Sequence, residues 1–184
     1  ADARARNVSV VVSAGNNSGG AVQYPANCAG SIAAGAAQQN GQLATYTAKG
    51  TGNGFLTLHA PGNANGFYAA VSNTGSSTPQ ANGTALQLVA GTSFSAPMVA
   101  GAVSLLKAAR PALTPSDIDG LLRDNALAYP PNADFTITAG VVTRSNCTGN
   151  SCGAGLLNPL GVINAARAMP NPLPVANVPQ SAVV

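Results

Sequence analysis

The sequence predicts an α/β fold in which a mostly parallel sheet packs against helices. Residues 8–12, VSVVV, form a β-branched run that is typical of a strand buried on both faces of a parallel sheet. Short runs of small residues bounded by turn-forming residues follow it, and two helical segments come next, at 97–109 and 113–126. Strands that alternate with loops and then give way to helices indicate a layered α/β architecture.

The end of the first strand indicates where a site would lie. The strand runs into SAGN, and the turn-forming stretch NNSGG begins at Asn16. Ligands of open α/β sheets bind beside the loops at the carboxyl ends of the strands, so the loop at Asn16 is the first candidate. Further strands are predicted at 31–37, 43–47, 55–58 and, as a short strand, within 66–71.

The helical segments have recognisable ends. Only two side chains of 97–109 are polar, and a helix that is apolar nearly all round is predicted to be buried. Pro111 ends this helix, because proline cannot continue it. Thr114 is the predicted N-cap of the second helix, with Pro115 at its first position. A third, short helix is predicted at 160–168.

Composition narrows the class of protein. Charged residues make up 7% of the 184 residues, against about 25% in an ordinary globular chain. This low charge, with 21 glycines and many uncharged polar residues, favours a secreted protein. The eight Lys and Arg residues form no basic stripe and aromatic residues make up 4%, which argues against a nucleic-acid partner. No run approaches the roughly 20 apolar residues of a membrane span, so no span is predicted.

The three cysteines leave an odd count. Cys147 and Cys152 bracket the turn-like TGNS and are predicted to form a short disulfide. Cys28, in YPANC, has no local partner. Two interpretations of Cys28 remain open, a buried free thiol and a half of a disulfide whose other cysteine lies outside this chain.

A hydroxyl pair, Thr92 and Ser93, directly precedes the apolar helix in residues 90–106, AGTSFSAPMVAGAVSLL. On the local pattern alone Ser93 is a helix cap, because serine often accepts a hydrogen bond from the first turn. However, the eleven residues GTSFSAPMVAG resemble the nucleophile motif of the subtilisin-like serine peptidases, or subtilases, with its glycines and proline all matched. The usual motif has Met where Phe94 stands and His where Met98 stands, and neither position is catalytic in the family.

Four further segments are similar to subtilase motifs and occur in the family's order. They are VVVSAGN at 10–16, APG at 60–62, LTP at 113–115 and the cysteine loop that ends in CGAGLLN at 152–158. The resemblance covers residues 5–168. It implies that 1–168 form the C-terminal part of a catalytic domain of the secreted bacterial type, while the proline-rich, uncharged residues 169–184 predict a tail or linker.

The resemblance implies a three-layer subtilisin-like fold in which a central buried helix carries the nucleophile. It implies that Ser93 attacks the cleaved peptide bond as in a serine endopeptidase, and that the Asn16 side chain and the Ser93 backbone N–H bind the oxyanion. Ser13, Ala14 and Gly15 would form a wall of the pocket for the substrate residue before the cut. Because these side chains are small, they leave room there for a large apolar or aromatic residue.

The base and acid of a subtilase triad have no counterpart here. The family order is Asp, His, Ser, with the histidine in an H-G-T context, whereas the single histidine of this chain, His59, stands in LHAPG and is interpreted as a strand-end or surface residue. The five acidic residues offer no substitute: Asp2, Asp117, Asp119, Asp124 and Asp134. The predicted partner is therefore an N-terminal part of the same precursor, which carries Asp and His.

The origin of this N-terminal part has two interpretations. Either a precursor was cut before Ala1 and its pieces stay associated, or the sequence is part of a longer chain. In similar secreted members the cysteine of P-x-N-C pairs with an upstream one, so Cys28 would link the two parts. The chemistry needs no cofactor. Subtilases often bind structural calcium, but no acidic cluster of this chain assigns such a site.

Two other classes of function remain open. A catalytically inert subtilase-like fragment or pseudo-peptidase would keep the fold as a binding or assembly module, although such a protein is expected to lose Ser93 or Asn16. An adhesion or assembly domain would account for the polar loops but not for the nucleophile motif. Labelling of Ser93 by a fluorophosphonate probe would separate both classes from a peptidase that acts on protein or peptide substrates.

Overall fold

Apart from a short N-terminal helix and a β-hairpin before the last helix, the strands of the chain precede its helices, as predicted. The structure, a computed structural model, describes residues 2–50, 55–62, 68–72, 84–148 and 151–170. The helices are α1 Asp2–Ala5, α2 Thr92–Ala109, α3 Pro115–Asp124 and α4 Pro159–Ala168. The strands are β1 Val10–Ser13, β2 Ser31–Ala37, β3 Leu56–Pro61, β4 Tyr68–Ser72, β5 Thr84–Leu88, β6 Asp134–Thr138 and β7 Val141–Ser145.

Strands β1, β2 and β3 form a parallel sheet in that order. Val10 is paired with Ser31 at the start of β1, and the register between β2 and β3 shifts between Ala33 and Ala34. Ala33 and Ala34 are fully buried although their side chains lie on opposite faces, as expected where both faces of a parallel sheet are covered. The predicted parallel α/β fold is confirmed.

The two faces of this sheet are covered differently. Helices α2, α3 and α4 lie on one face, where Ile32 and Leu58 pack against Val99, Leu106 and Ile118. The other face is covered in the described part of the chain by non-helical segments that include Val22, Ala26 and Ala48. The helices therefore share one core with the sheet.

Helix α2 begins at Thr92, five residues before the predicted start, and continues through Pro97. Its predicted burial all round is wrong for the residues that the structure describes. Val99 and Leu106 are completely buried, but the side chains of Met98 and Leu105 are 42% and 54% exposed. One side of the helix packs on the sheet and α4, and the other side presents apolar residues with nothing over them in the described ranges.

The predicted start of α3 is confirmed, and α4 begins one residue before its predicted start. The Thr114 hydroxyl accepts from the Asp117 N–H at 3.2 Å, and the Asp117 carboxylate accepts from the Thr114 N–H at 2.8 Å, which forms a capping box. The side chain of Asn158 accepts from the Gly161 N–H and caps α4. Sequence patterns locate such ends well because a cap depends on residues close in the chain.

Strand predictions outside the sheet succeed only in part. The predicted short strand within 66–71 corresponds to β4, which pairs antiparallel with β5. The predicted strand 43–47 is wrong, since Leu43 forms a single bridge with Ala37 and turns follow. The hairpin β6–β7 was missed, although its two-residue turn, Ala139 and Gly140 at positive φ, lies between β-branched runs.

The C-terminal loop closes the β3 edge of the sheet. The His59 N–H donates to the Gly155 carbonyl at 2.9 Å, and the Leu157 N–H donates to the His59 carbonyl at 2.8 Å. Cys147 and Cys152 form the expected disulfide in this loop. Cys28 is exposed and unpaired within the described residues, so its interpretation as a buried free thiol is wrong. The predicted tail lies almost wholly outside the described residues, which end at 170.

Candidate active site

The candidate residues meet at the carboxyl end of the parallel sheet. The loop 14–16 leaves β1 there, Gly62 follows β3, and Gly91 leads into α2. The Gly91 N–H donates to the Gly62 carbonyl at 2.8 Å, which holds the start of α2 against the end of β3. Residues 76 positions apart, Asn16 and Thr92, are thereby brought into contact.

The amide of Asn16 is fixed in orientation by Thr92. The Asn16 Oδ1 atom accepts from both the backbone N–H and the hydroxyl of Thr92, each at 3.0 Å. The Thr92 hydroxyl in turn accepts from the Gly15 N–H at 3.3 Å. Because its oxygen is held on the Thr92 side, the NH₂ group of Asn16 must face away from Thr92. Sequence reasoning noticed Thr92 as one of a hydroxyl pair but gave it no role.

The NH₂ group of Asn16 and the backbone N–H of Ser93 adjoin the same space beside Gly91. A Cβ atom at Gly91 would lie 3.4 Å from the Asn16 Nδ2 atom and 3.7 Å from the Ser93 nitrogen. Gly91 has φ of +149°, a backbone conformation that residues other than glycine rarely adopt. The glycine therefore leaves open a small volume next to two N–H donors, the arrangement that an oxyanion requires.

Ser93 is the second residue of α2, and its side chain is exposed. It is not the helix cap that its local sequence suggests, since the cap position belongs to Gly91 and has no side-chain hydrogen bond. The first N–H groups of a helix lack partners within the helix and carry its positive dipole end. An anion that formed next to Ser93 would be stabilised by this position.

The predicted pocket wall is held rigidly through its backbone. Ala14 is fully buried, its N–H donates to the Ala34 carbonyl at 2.9 Å, and its carbonyl accepts from the Gln23 N–H at 2.9 Å. The Gly15 carbonyl accepts from the Ala48 N–H at 2.8 Å. Gly15 has φ of +115°, so a glycine is required at this turn between Ser13, the last residue of β1, and Asn16.

Tyr46 is a further residue of the site that sequence reasoning missed. Its hydroxyl donates to the Gly62 carbonyl and accepts from the Gly91 N–H at 3.1 Å. Burial raises the pKa of the Tyr46 hydroxyl above its ordinary value, so the group stays protonated and able to donate. The Ser95 hydroxyl adds a second bond between α2 and β3, at 3.1 Å to the Ala60 carbonyl. No local motif marks these bonds, because they join distant segments.

His59 lies inside the protein, which corrects its interpretation as a strand-end or surface residue. It is completely buried within β3, and its Nδ1 atom lies 2.7 Å from the Tyr129 hydroxyl and 3.0 Å from the Cys152 carbonyl. Burial lowers the pKa of His59 to about 4, so the ring is neutral at ordinary pH. A ring held in this way has no access to the exposed Ser93 side chain.

Four of the five acidic residues have partners other than Ser93. Asp2 pairs with Arg6, Asp119 pairs with Arg123 at 2.9 Å, and Asp134 pairs with Lys49 at 2.8 Å. Asp117 caps α3 and Asp124 is its last residue. Across the described ranges, no group of three or more His, Cys, Asp and Glu residues is arranged to hold a metal ion. In the same ranges no helix combines the length and hydropathy that crossing a membrane requires.

The fold and these contacts together define a class of protein. The family model described as "Subtilase family" matches residues 1–156. The chain belongs to the subtilase family, which is a family of serine peptidases. The resemblance of the GTSFSAPMVAG segment and the predicted parallel α/β fold are thereby confirmed at the level of the family.

Curated relatives agree with this assignment. An "Extracellular protease" of Xanthomonas campestris pv. campestris is 35% identical over 163 residues, which are 88% of this chain and 24% of that relative. "Subtilisin Savinase" of Lederbergia lenta is 34% identical over 124 residues, which are 67% of this chain and 40% of that relative. The chain thus spans well under half the length of these two relatives.

Solved structures show the same fold. A protease from Pseudoalteromonas arctica has a TM-score of 0.69 at 30% identity, over 89% of this chain and 44% of that one. The patellamide maturation protease PatA has a TM-score of 0.65 at 25% identity, over 90% of this chain and 53% of that one. The chain therefore corresponds to about half of the structures it matches.

Proposed function

We propose that this chain is the C-terminal half of the catalytic domain of a serine endopeptidase. In this proposal Ser93 is the nucleophile, and the Asn16 side chain and the Ser93 backbone N–H bind the oxyanion. The observation that carries it is that both donors adjoin the space that Gly91 leaves open, at 3.4 and 3.7 Å from a Cβ atom there. Bonds to Thr92 orient one of them before any substrate arrives.

The reaction follows from this geometry. The Ser93 oxygen attacks the carbonyl carbon of the cleaved bond while a histidine accepts its proton, and the carbonyl oxygen becomes an anion between the two N–H donors. When the tetrahedral intermediate collapses, the same histidine gives the proton to the departing amine. Water then attacks the acyl group on Ser93 by the same steps, which releases the new carboxylate and restores the serine.

We infer that the histidine and the aspartate that orients it come from an N-terminal part of the same precursor. His59, the single histidine of the sequence, is buried and bonded to Tyr129 and Cys152. Within the described residues β1 lacks a partner on its outer edge, where Val8 and Val10 are exposed. An unpaired strand edge readily accepts another strand.

The exposed side of α2 supports the same inference. Met98 and Leu105 lie on it, and a helix side of this apolar character is stabilised when another element covers it. We place the N-terminal part against β1 and this side of α2, and we assign Cys28 as its disulfide partner because the thiol is exposed. Whether that part is a separate piece or a continuous segment does not change the chemistry.

Secretion and a protein substrate complete the proposal. Its support is the disulfide between Cys147 and Cys152, the low charge of the chain and a relative whose name is "Extracellular protease". Zymogen processing belongs to the same proposal, as the step that would separate the two parts. Residues 1–168 are proposed as the catalytic half and 169–184 as a tail or linker.

Fluorophosphonate labelling tests the nucleophile. In protein that contains the N-terminal part, we expect covalent labelling at Ser93, none in Ser93→Ala, and unchanged labelling in the matched helix variant Ser104→Ala, which alters an exposed serine. If Ser93 stays unlabelled, the peptidase proposal fails and a binding or assembly module is the better function. Alkylation of free thiols in unreduced protein that contains the N-terminal part tests the Cys28 link, which fails if Cys28 is alkylated without reductant.

A further inference from the structure

The outer part of the hairpin β6–β7 is exposed on both faces. Residues 136–143 are all exposed, and no other strand in the described part of the chain pairs with β6 or β7. None of these residues is charged, and three of them are large and apolar, namely Ile137, Val141 and Val142. Natural proteins commonly protect exposed strands with charged residues or proline, and this segment contains neither.

One face of the hairpin is apolar from its base outward. Alternate residues of a strand point to the same face and paired residues share it, so Phe135, Ile137 and Val142 lie on one side. Phe135 is buried at the base, whereas Ile137 and Val142 are 39% and 44% exposed. We call Ile137 and Val142 the apolar hairpin face. The opposite face carries three threonines and Val141.

The base of the hairpin is attached to the loop that follows Asn16. A Cβ atom at Gly19 would lie 3.3 Å from the Phe135 Cε2 atom, so the Phe135 ring packs directly against this glycine. The Lys49 ammonium group forms a second attachment, because it donates to the Asp134 carboxylate at 2.8 Å and to the Phe135 carbonyl at 2.7 Å. The hairpin is therefore held at its base, and its outer part extends from this anchor.

The same loops hold the candidate active site. The N–H of Ser18, the residue before Gly19, donates to the Tyr46 carbonyl at 2.9 Å. The Tyr46 hydroxyl in turn bonds to Gly62 and Gly91, beside the two oxyanion donors. A continuous series of contacts through two loops therefore connects the oxyanion site with the base of the hairpin. The apolar hairpin face continues outward from that base.

This position favours a polypeptide substrate as the occupant of the apolar hairpin face. A protein cut at Ser93 extends from the site in both directions, and each extended residue spans about 3.3 Å, so a short run of residues covers a large distance. Because the face is uncharged, it suits apolar side chains of the substrate. Two half-exposed side chains supply only a small fraction of the roughly 1,200–2,000 Å² that a stable protein interface buries, which argues against a second copy of this chain.

We propose that the hairpin β6–β7 is a docking site for protein substrates, in which Ile137 and Val142 bind apolar side chains of the substrate at residues distant from the cleaved bond. This inference rests on the proposed function, because the occupant is the substrate of Ser93. Such a contact is equally strong before and during the reaction, so it lowers KM and leaves kcat unchanged. It favours long, extended substrates over short peptides.

The test measures kcat and KM separately for three peptides that share one core sequence at the cleaved bond, in protein that contains the N-terminal part. One peptide is the core alone, the second carries long apolar extensions on both sides, and the third carries Gly and Ser extensions of the same length. The wild type should have a KM about tenfold lower for the apolar extensions than for the Gly and Ser extensions, because burial of apolar side chains supplies the binding.

The variant Val142→Lys should abolish this difference in KM and leave the kinetics on the core peptide unchanged. Thr143→Lys is the matched control, since it adds the same charge at the next residue of β7 on the opposite face, and it should keep the wild-type difference. Val142→Thr keeps the branched shape of the side chain and should reduce the difference several-fold even if Val142→Lys does not fold. Fluorophosphonate labelling of Ser93 monitors the folding of every variant.

Equal KM values for the two extended peptides in the wild type, or a difference that persists in both Val142 variants, would overturn the inference while the peptidase proposal stands. The inference is also wrong if both Val142 variants lose labelling, because the face would then be needed for folding or for the N-terminal part. A dimer that sedimentation detects in the wild type but not in Val142→Lys would assign the face to a second copy instead. If the wild type is neither labelled nor active on the core peptide, the proposed function fails and the inference fails with it.

Discussion

The two edges of the parallel sheet differ in what covers them. At β3 the chain pairs with itself, because His59 exchanges hydrogen bonds of 2.9 and 2.8 Å with Gly155 and Leu157. At β1 no strand lies outside in the described residues, and Val8 and Val10 are 51% and 37% exposed. The closed edge lies beside the disulfide loop, while the open edge belongs to the strand that leads into Asn16.

Helix α2 likewise has one covered side and one open side. Leu106 packs into the core between the sheet and α4, and its neighbour Leu105 projects from the uncovered side. A nearly continuous apolar sequence in a helix therefore does not show which of its side chains are buried. Both leucines satisfy the sequence pattern, but only one is enclosed by residues of this chain. We therefore assign the open edge and the open helix side to one surface for the N-terminal part.

The largest expected effect is a difference in unfolding free energy between variants of the two leucines of α2. Leu106→Ala should lower the free energy of unfolding of this chain by about 2–5 kcal/mol, because it leaves a cavity in the core. When the N-terminal part is absent, Leu105→Ala should change it by less than about 0.5 kcal/mol, since the side chain is then half exposed. Urea unfolding of both variants measures the difference. Equal losses for the two would mean that both sides of α2 are covered, contrary to the comparison.

The open edge should matter next for catalysis. Asn16→Ala removes a donor at the end of β1 and should lower kcat by about 10²–10³, the range measured for such a donor in a subtilisin, with KM nearly unchanged. Steady-state kinetics on one peptide measures it. Asn17→Ala is the control, because the Asn17 amide bonds to the Ala21 carbonyl in its own loop and should leave kcat within a few-fold. A loss in KM alone would contradict an oxyanion role.

We expect the β3 edge, where His59 is buried, to be destabilised as the pH falls. Burial lowers the pKa of His59 to about 4 from an unfolded value of 6.5, so below pH 6.5 the unfolded chain binds a proton that the folded chain does not. The hydrogen bond to Cys152 and nearby Asp134 oppose this shift, and Lys49 adds to it. Stability that is fully present above pH 6.5 should therefore fall as the pH drops to 4, by roughly 3 kcal/mol.

The variant His59→Asn isolates this contribution, because asparagine can donate to the Cys152 carbonyl but does not titrate. Chemical unfolding of both proteins between pH 4 and 7 gives the two curves, and carboxylates that titrate in the same window cancel in their difference. Parallel curves would show that His59 has no part in acid sensitivity.

The smallest effect concerns the joint between β3 and α2. Tyr46→Phe removes the hydroxyl between Gly62 and Gly91 but leaves their direct bond of 2.8 Å. We expect a loss of about 1 kcal/mol in unfolding free energy, the usual contribution of one hydrogen bond, and a fall in kcat of a few-fold. Tyr24→Phe, at an exposed residue, should change neither quantity. An unaltered kcat in Tyr46→Phe would confine the hydroxyl to a structural role.

The sequence predicted those elements whose signals are local. The strand 31–37 has the predicted bounds, and the Thr114 cap and the disulfide of Cys147 are present. The segment 43–47 shows where a local pattern is not enough. Leu43 is apolar and buried, yet its N–H donates to the Ala133 carbonyl and turns follow in the chain. Burial gives a turn the same apolar composition as a strand, so periodicity over five residues does not separate them.

The residues of the candidate site also differ in whether the sequence could identify them. Ser93 and Asn16 could be chosen from sequence because each lies in a long motif, and the structure brings Thr92 and Asn16 into contact across 76 positions. The role of Tyr46 could not be chosen, since it belongs to no such motif. Its side chain reaches Gly62 and Gly91 from a separate loop, and only the folded chain brings that loop to the site.

By itself, the sequence determined the family, the parallel sheet that precedes α2 and α3, and the residues that carry the nucleophile motif. Tertiary structure alone decided that His59 is buried, that one side of α2 is open, and that the Tyr46 hydroxyl joins Gly62 to Gly91. The physical reason is that residue type and spacing fix hydrogen bonds and polarity along the chain. Burial, accessibility and the shape of a pocket depend on which distant segments come to lie beside each residue.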